Sequence, residues 1–409
     1  MYPGHDLVSA DRASAASLCP AGRSTAVAPS APASSLVAAP SRSAPEAHLS
    51  GRSAQTRHGT DLLNGMNQMN GNTTFRHQNV ALLGIAEVEA PVVVTSDELD
   101  AELGDVLTKL GLPTGLFQRV AGVESRRQWD SPDGFIKGSA EAGRLALEQA
   151  GIEREQIGLM INGSVSRASM EPSVAVSVHN ELGLGTHAMN FDITNACLGF
   201  VNGMTMAATL IDSGQTDYAM VVAAEETSRL RENTVRHLHR EGITRAEYLE
   251  EFASLTLGSG AVGAVLGRAD AHPEGHRIKG GVTRAATWNH DLCVGGWDGM
   301  YTDSKALMDN GVALVMDAWT EAAQDGWNWD DMTSYVTHQV SSSHTSALVK
   351  ALDLPMNRVP VSYPTLGNVG PAALPITLAR QAETLQKGDS VLTIGVGSGL
   401  NAALTEIEW

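Results

Sequence analysis

HAMNFDITNACLGFVNGMTMAATLIDSG, residues 187–214, joins an apolar strand pattern directly to a long helix rich in small residues. We predict the strand over 187–194 and a helix that begins at Cys197. Gly199 and Gly203 lie four positions apart on one face of that helix, so the helix can pack closely in the interior. A strand that leads straight into a helix is the unit from which α/β folds are built.

Strand and helix patterns alternate on both sides of this stretch. The predicted strands are 79–88, 157–166, 217–226 and 258–269, and the predicted helices are 96–111 and 138–151. Ser96 is the expected N-cap of the first helix, and Gly151 is the expected C-terminal cap of the second. The alternation predicts an α/β fold with a mainly parallel core sheet.

The C-terminal part of the chain repeats this scheme. TSYVTHQVSSSH (333–344) has the same form as GLMINGSVSRAS (158–169), with an apolar strand, a polar pair, and then Val-Ser before a helix. These landmarks predict a duplicated βαβ-rich unit, although α/β segments can also resemble each other by chance. We place the first half at 76–270 and the second half at 271–409.

The starts of the equivalent helices carry polar residues. Cys197 lies 20 residues before Asp217, and Asn368 lies 21 residues before Asp389, with an apolar strand after each aspartate. His338 ends a strand in the second half. Two halves related by a pseudo-twofold axis would bring Cys197, Asn368 and His338 to one central site.

The N-terminal segment differs in composition from the rest of the chain. Residues 1–60 contain 14 Ala, 11 Ser, 6 Pro and 4 Gly, with few large apolar residues. Such a segment buries too little surface to offset its chain entropy. We therefore predict a disordered tail and linker over 1–75. The alternatives are an Arg- and Ser-rich targeting peptide, or translation that starts at Met66 or Met69.

Composition excludes several classes of function. The chain has 409 residues and a formal charge of −18, which argues against general nucleic-acid binding. It contains no run of about 18 apolar residues, so no membrane-spanning helix is expected. Its three cysteines, Cys19, Cys197 and Cys293, exclude a disulfide scaffold and a CxxC zinc site, and they fit a reducing cytoplasm.

Several polar residues stand where they could act on a thioester. Cys197 lies at a strand–helix junction, where a helix N-terminus favours thiolate over thiol; the alternative is a buried core cysteine. His338 could donate to a thioester oxygen or move a proton, or it could be a hydrogen-bonded structural histidine. His344 is the weaker candidate. The Asn368 amide could help to hold an oxyanion, although Gly-Asn is also a common turn pair.

Two glycine-rich loops invite a nucleotide-binding interpretation. Gly258-Ser-Gly-Ala-Val-Gly fits GxGxxG, but a strand rather than a helix follows it, so we reject a dinucleotide site. Gly395-Val-Gly-Ser-Gly follows a strand, and too few residues remain for a helix and an acid. We expect this loop to lie against a substrate, with backbone amides near Ser398 forming half of an oxyanion hole.

SRLRENTVRHLHREGITR (228–245) is the most basic stretch of this acidic chain. A metal site at His237 and His239 is weakly supported, because no third ligand lies near them at helical spacing. The arginines either form a solvated helix face or receive the phosphates of coenzyme A or an acidic carrier protein. The arginines that we assign to CoA phosphates are Arg229, Arg231, Arg236 and Arg240.

Four motifs resemble those of the thiolase superfamily. In order, they are Asp192-Ile-Thr-Asn-Ala-Cys-Leu-Gly-Phe, Thr337-His-Gln-Val, Gly367-Asn-Val-Gly-Pro-Ala and Gly395-Val-Gly-Ser-Gly-Leu-Asn. Over 76–409 the chain is most similar to the ketoacyl-ACP synthase III branch, and within it to enzymes that join two fatty acyl chains head to head in long-chain olefin synthesis. The resemblance implies a five-layered αβαβα fold of two similar halves, and a homodimer.

The same resemblance assigns roles to the candidate residues. It implies that Cys197 is the acylated nucleophile and that His338 and Asn368 complete a catalytic triad. It also implies that the backbone amides of Cys197 and Ser398 share the oxyanion hole.

Glu171 separates the branches of this superfamily. By itself it could simply complement a helix dipole. Its context, Ser166-Arg-Ala-Ser-Met-Glu-Pro-Ser, resembles one in which a glutamate reaches into the partner subunit's active site. A base held there can remove the weakly acidic proton α to a thioester. The chain also has His-Gln-Val-Ser where decarboxylating ketoacyl-ACP synthase III enzymes usually have His-Gln-Ala-Asn.

The implied reaction is a non-decarboxylative Claisen condensation of two long-chain acyl-CoA molecules to a 2-alkyl-3-oxo acid, with no cofactor and no metal. Two alkyl chains would need apolar channels, and other olefin-pathway enzymes are expected partners. The main alternative is a decarboxylating 3-oxoacyl-ACP synthase III that initiates fatty acid synthesis. A hydroxymethylglutaryl-CoA synthase and a non-catalytic acyl-binding homologue are further alternatives.

Overall fold

The computed structural model of the chain describes residues 74–296 and 298–409. The predicted tail therefore lies outside the described residues up to position 73, together with Cys19, Met66 and Met69. The last two tail residues contradict the prediction, because Thr74–Arg76 forms a β-strand. Gly280 makes this pairing possible: its φ is 121°, and a Cβ atom there would overlap the carbonyl oxygen of Phe75.

The strands of the described residues are numbered here in chain order. They are β1 Thr74–Arg76, β2 Val80–Glu89, β3 Val92–Thr95, β4 Ser125–Gln128, β5 Leu159–Asn162, β6 Met189–Asp192, β7 Tyr218–Glu225, β8 Gly260–Arg268, β9 His276–Ala285, β10 Cys293–Gly295, β11 Met300–Thr302, β12 Ser334–Thr337, β13 Ser390–Gly397 and β14 Asn401–Glu408. The predicted strands in the first half correspond to β2, β5, β6, β7 and β8.

The helices are numbered in the same way. They are α1 Ser96–Glu102, α2 Gly104–Leu110, α3 Gly134–Ala150, α4 Val174–Leu182, α5 Gly199–Asp212, α6 Ser228–Leu238, α7 Arg245–Leu255, α8 Ser304–Gln324, α9 Ser342–Ala351, α10 Tyr363–Leu366 and α11 Ala373–Ala382. A π-helical turn at Phe117–Ala121 and 3-10 turns at Arg154–Gln156, Thr287–Asn289, Met356–Arg358 and Gly370–Ala372 complete the helical segments.

The sheet topology repeats between the two halves. One large sheet has the order β12-β13-β14-β9-β2-β8-β7-β5-β6, with β1 paired to β9. In the series β2-β8-β7-β5 the first two contacts are antiparallel and the third is parallel. The series β9-β14-β13-β12 has the same pattern. The repeat agrees with a duplicated unit; the boundary between 270 and 271 stays a prediction, and it falls between β8 and β9.

The prediction of a mainly parallel core sheet is wrong. Among the described strands, β8 and β14 each run antiparallel to both neighbours. In the second half a tight turn joins β13 directly to β14, and a turn of that length can only reverse the strand. The two half-sheets meet where β2 pairs antiparallel with β9. The result is a mixed α/β sheet.

The helices form layers on both faces of each half-sheet. Helices α5 and α11 lie between the two half-sheets, in a core cluster that contains strand residues of both. Helices α3 and α4 cover the outer face of the first half-sheet, and α8 and α9 cover that of the second. This is the five-layered αβαβα arrangement of a thiolase-like fold. No helix within 74–296 and 298–409 is long and apolar enough to cross a membrane.

The helix predicted at 96–111 is two helices, and its predicted N-cap is one residue out. Thr95 caps α1, because its Oγ1 accepts from the Glu98 N–H while the Glu98 carboxylate accepts from the Thr95 N–H at 2.7 Å. The Ser96 hydroxyl instead donates to the Val123 carbonyl at 2.6 Å. The predicted glycine cap is confirmed, since Gly151 ends α3 with φ 64°.

Candidate active site

Cys197 lies in a tight turn between β6 and α5. Ala196, just before it, has φ 45°, a left-handed conformation that costs a residue with a Cβ atom about 1–2 kcal/mol. The turn is closed by the Leu198 N–H, which donates to the Asn195 carbonyl at 2.9 Å. Helix α5 begins at Gly199, where a Cβ atom would overlap the carbonyl oxygen of Gly163. Close backbone contact with the end of β5 therefore fixes the position of the turn.

The loop with Ser398 lies against this turn. A Cβ atom on Gly397 would lie 3.4 Å from the backbone nitrogen of Cys197, so the two backbones are in direct contact. The Asn401 Nδ2 donates to the Asn195 Oδ1 at 3.2 Å and ties the far side of the loop to the same turn. The structure thus brings together Cys197 and the segment that carries Ser398.

His338 reaches the site at the end of β12. Its backbone N–H donates to the Ile394 carbonyl at 2.9 Å, which places it beside β13, three residues before Gly397. Its ring is buried, with 3% of the residue exposed. Burial, and to a smaller extent the nearby His344, lowers the pKa of His338 to about 3. At neutral pH the imidazole is therefore uncharged.

His344 lies in α9 and is also buried. Burial lowers its pKa to about 4. The Nδ1 atoms of His338 and His344 are both buried without a hydrogen-bond partner inside the described part of the chain. Two neutral rings with unpartnered nitrogens thus line this part of the second half.

Asn368 lies between α10 and α11, in a loop held by its backbone. Its N–H donates to the Thr256 carbonyl, and its carbonyl accepts from the Gly258 N–H, both at 3.0 Å. The Asn368 side-chain Oδ1 accepts from the Gly370 N–H at 3.0 Å. The carbonyl end of the amide is occupied in this way, so the Nδ2 group is the end that can donate to a substrate oxygen.

The electrostatics around Cys197 favour the thiol. Burial, followed by the nearby Cys293 and Glu225, raises the pKa of Cys197 to about 12. This is opposite to the expectation that a helix N-terminus would favour the thiolate. The first helical residue is Gly199, two positions further on, and burial outweighs the helix dipole at this distance. The nucleophile therefore needs a base to take its proton when it attacks.

Sequence reasoning missed two residues beside Cys197. Cys293, on β10, is a part-buried free thiol close enough to affect the Cys197 pKa. Glu225, at the end of β7, is only 5% exposed, and burial raises its pKa to about 7. A signal existed for Glu225: two adjacent acids end an otherwise apolar strand, and an acid on a buried strand needs a specific partner.

Glu171 differs from these residues because it is exposed rather than buried. It lies in the loop between β5 and α4, and its side chain is exposed. The preceding Met170 is 89% exposed, so the loop projects from the surface at this point.

The arginines assigned to coenzyme A lie on α6 and in the turn after it. Arg231 Nη2 donates to Gln128 Oε1, and Arg236 Nη1 donates to Asn233 Oδ1, both at 2.7 Å. Arg240 forms an ion pair with Glu247. Arg229 is exposed. All four arginines therefore already interact with other residues of the chain.

His237 and His239 each have an acidic neighbour rather than a shared site. His237 pairs with Glu251, and His239 Nε2 lies 3.3 Å from Asp105 Oδ1. Within the described residues, no group of three or more His, Cys, Asp or Glu side chains is arranged to hold a metal ion.

An apolar crevice runs beside the two central helices. Its cavity volume is about 20 Å³, which is room for about one water molecule. Its lining includes Val201 and Met204 on α5 and Leu374 and Leu378 on α11. The predicted channels for two alkyl chains stay a prediction.

Comparison with known families agrees with this architecture. The family model for 3-oxoacyl-[acyl-carrier-protein] synthase III matches residues 191–280, and the model for the C-terminal part of that enzyme matches residues 322–409. The matched segments contain the Cys197 turn in one case and both His338 and Asn368 in the other.

Two curated relatives cover nearly all of the described chain. The acyl-CoA:acyl-CoA alkyltransferase of Xanthomonas campestris is 40% identical over 81% of this chain and 99% of its own length. The enzyme of the same name from Shewanella oneidensis is 30% identical over 82% of this chain and 100% of its own length. A β-ketoacyl-[acyl-carrier-protein] synthase III of Streptomyces coelicolor is more distant. It is 27% identical over 74% of this chain and 90% of its own length.

Solved structures of Xanthomonas campestris OleA superpose on the chain. A histidine variant of that protein has a TM-score of 0.80 at 40% identity, covering 82% of this chain and 100% of its own. A cysteine variant with bound lauric acid and lauroyl-CoA has a TM-score of 0.79 at 40% identity, covering 81% and 100%. A glutamate variant has a TM-score of 0.80 at 40% identity, covering 82% and 99%. With this identity over the full length of the relative, the chain belongs to the OleA family of acyl-CoA:acyl-CoA alkyltransferases, within the thiolase superfamily.

Proposed function

We propose that this protein joins two long-chain acyl-CoA molecules by a non-decarboxylative Claisen condensation, as the first step of long-chain olefin biosynthesis. One observation carries the proposal: the Cys197 turn contacts the Ser398 loop at the end of β13, His338 lies beside the same strand, and Glu171 stands on a projecting loop. The site has a nucleophile and a proton acceptor for acyl transfer. The exposed carboxylate supplies the base that a decarboxylating synthase does not need.

The relatives support the assignment of these residues. In the Xanthomonas protein the glutamate and the cysteine that were replaced are 26 positions apart, as are Glu171 and Cys197 here. The replaced histidine lies 142 positions after that cysteine, and His338 lies 141 positions after Cys197. The spacing agrees with the three roles that the motifs imply.

The first half-reaction acylates Cys197. Neutral His338 takes the thiol proton as the sulfur attacks the thioester carbonyl, and that proton leaves with the departing CoA thiol. The backbone amides of Cys197 and Ser398 stabilise the tetrahedral oxyanion, and the Asn368 Nδ2 completes the set of donors. The product of this step is an acyl-cysteine and free CoA.

The second half-reaction forms the carbon–carbon bond. Glu171 of the partner subunit takes an α-proton from a second acyl-CoA, and the resulting enolate attacks the acyl-cysteine carbonyl. The tetrahedral intermediate collapses, and the Cys197 sulfur leaves with the bonding electron pair. Water then cleaves the remaining CoA thioester to give the 2-alkyl-3-oxo acid. The reaction needs no cofactor beyond its CoA thioester substrates.

A homodimer follows from the role of Glu171, and the surface supports it. Strand β6 is the edge of the large sheet, and an unpaired edge strand is open to pairing with another chain. Exposed apolar side chains lie on β6, on the Glu171 loop and on α4: Val165, Met170, Val176 and Met189. A second copy that covers this edge would bury them and receive the Glu171 loop.

The remaining parts of the proposal concern substrate binding and location. Arg229 and Arg236 are exposed arginines on α6, and their positive charge suits the phosphates of CoA. Acyl-CoA is a cytoplasmic metabolite, so we place the reaction in the cytoplasm, where other enzymes of olefin synthesis would consume the product.

Separate measurement of the two half-reactions tests this proposal. Cys197→Ala should form no acyl-enzyme by intact-protein mass spectrometry. Glu171→Ala should still form the acyl-enzyme from a long-chain acyl-CoA but should give no condensed product. Turnover by Cys197→Ala would refute the nucleophile, and loss of acylation in Glu171→Ala would make Glu171 a structural residue.

A further inference from the structure

The loop that carries Glu171 is fastened at both ends and exposed in between. It joins β5 to α4, and residues 168–172 are all exposed, Met170 to 89%. One end is held by the carboxylate of Glu225, and the other by the carboxylate of Asp192. Two acidic side chains, one from each of the strands β7 and β6 that flank β5, therefore hold the two ends of the projecting segment.

Glu225 holds the first end with three hydrogen bonds. Its Oε1 accepts from the Val165 N–H at 2.8 Å, and its Oε2 accepts from the Ser166 N–H at 3.0 Å and the Ser166 hydroxyl at 2.6 Å. The Ser166 Oγ accepts in turn from the Glu226 N–H at 2.9 Å. All three groups that face Glu225 are donors, so both of its oxygens accept hydrogen bonds, whereas an amide would turn an N–H group toward one of these donors.

Asp192 holds the second end. Its Oδ2 accepts from the Val174 N–H at 3.1 Å and its Oδ1 from the Ala175 N–H at 2.8 Å, so it caps the N-terminus of α4 from a neighbouring strand. Asp192 also lies 3.4 Å from the Arg167 guanidinium inside the loop. These two hydrogen bonds account for the start of α4 at Val174, three residues after Glu171.

Glu225 also touches the wall of its own active site. A Cβ atom on Gly370, two residues after Asn368, would lie 3.3 Å from the Glu225 Cγ. Glu225 is also among the groups that raise the Cys197 pKa. Its carboxylate could therefore serve the thiol of its own subunit or the loop that leaves for the other subunit. The three short hydrogen bonds to the loop favour the second role.

We propose that Glu225 is a positioning residue for Glu171, so that its effect on condensation is exerted in the partner subunit's active site. This inference rests on the proposed function, in which Glu171 is the base for the partner. A base displaced by about 1 Å can cost a reaction about 100-fold, so a loop that carries one must be held at its foot. Glu225 supplies that restraint from the buried end of β7.

Glu225→Gln tests the restraint. It keeps the side-chain shape but turns an N–H group toward the donors of Val165 and Ser166. We expect the condensation kcat to fall about 10-fold to 100-fold, and to fall by more than the rate of Cys197 acylation. Ser166→Ala removes one of the same bonds and should give a smaller defect of the same kind. If both folded variants condense at the wild-type rate, the inference is wrong.

Hybrid dimers decide in which subunit Glu225 acts. In a dimer of one Cys197→Ala subunit and one Glu225→Gln subunit, the remaining thiol receives the Glu171 loop of the subunit with intact Glu225. We expect this site to condense at the wild-type rate per thiol, although each parent homodimer is defective. A hybrid as slow as the Glu225→Gln homodimer would mean that Glu225 serves its own Cys197.

A parallel hybrid separates this inference from the proposed function. A dimer of Cys197→Ala and Glu171→Ala subunits should regain condensation at its single complete site. If that hybrid stays inactive, Glu171 does not act in the partner subunit's active site, and the proposed function is refuted independently of the result for Glu225. If it is active and the Glu225→Gln hybrid is not, only the inference about Glu225 is overturned.

Discussion

Gly199 and Gly163 are in backbone contact, so that a Cβ atom on Gly199 would overlap the carbonyl oxygen of Gly163. In the other direction, a Cβ atom on Gly163 would lie 2.5 Å from the backbone nitrogen of Phe200. The end of β5 and the start of α5 are therefore pressed together without side chains between them. This contact fixes Cys197, two residues before Gly199, relative to the central sheet.

Gly199→Ala should destabilise the protein. The added methyl meets backbone atoms, which cannot move aside as a flexible side chain would, and we expect a loss of about 3 kcal/mol or more in the free energy of unfolding. Urea denaturation measures it. Gly104→Ala is the matched control, because its Cβ would meet no atom within 4 Å, and the change should be neutral or stabilising by up to about 1 kcal/mol. Equal losses in both variants would contradict the close contact.

The reactivity of Cys197 should increase with pH well beyond neutrality. Its pKa is raised to about 12, and an acid is protonated below its pKa, so the thiol dominates at pH 7. The rate of alkylation by iodoacetamide, followed at this cysteine by peptide mapping, should rise from pH 7 to pH 10 without a plateau. Cys293 in the same digest is an internal comparison. A plateau near pH 7 would show a stabilised thiolate instead.

His344 should make the protein less stable in mild acid. Burial lowers its pKa from 6.5 to about 4, so between these values the unfolded chain binds a proton that the folded chain does not. Its contribution is present above pH 6.5 and is lost as the pH falls toward 4, by up to about 3 kcal/mol. In His344→Gln, the free energy of unfolding should fall less steeply over this range. Parallel curves for wild type and variant would refute the buried neutral ring.

Met189→Lys should weaken the proposed homodimer. Met189 is exposed on the edge strand β6, and a lysine there would leave an unpaired charge in the proposed interface. Sedimentation velocity should detect monomer at concentrations where the wild type is dimeric. Met356→Lys is a control of similar exposure outside β6 and should leave the dimer intact. An unchanged dimer in Met189→Lys would place the interface elsewhere.

The sequence was sufficient for the elements whose pattern is local. The alignment of 158–169 with 333–344 predicts equivalent strands in the two halves. The structure has these strands at the aligned positions, β5 at Leu159–Asn162 and β12 at Ser334–Thr337. The pattern that predicts such a strand, an apolar run followed by a turn, is contained in one short segment of the chain. The same local information placed Cys197 at the junction of β6 and α5, although the helix begins two residues later than predicted, at Gly199, and it placed His338 at the end of β12.

The features that the sequence did not reveal depend on contacts between distant segments. Glu225 bonds to a loop about 60 residues earlier in the chain, and nothing in its own segment indicates that partner. Cys293 contributes to the raised pKa of Cys197 although 96 residues separate them in the chain. The pKa of Cys197 likewise reflects burial by surrounding elements, so the helix position alone gave the wrong direction.

Product analysis with purified protein tests the central claim most directly. The protein is incubated with a single long-chain acyl-CoA and no malonyl-ACP, and the products are identified by mass spectrometry. The account predicts a 2-alkyl-3-oxo acid that contains two acyl chains, with two CoA released for each product. Absence of this product, together with condensation that begins only when malonyl-ACP is added, would contradict the account and identify a decarboxylating synthase.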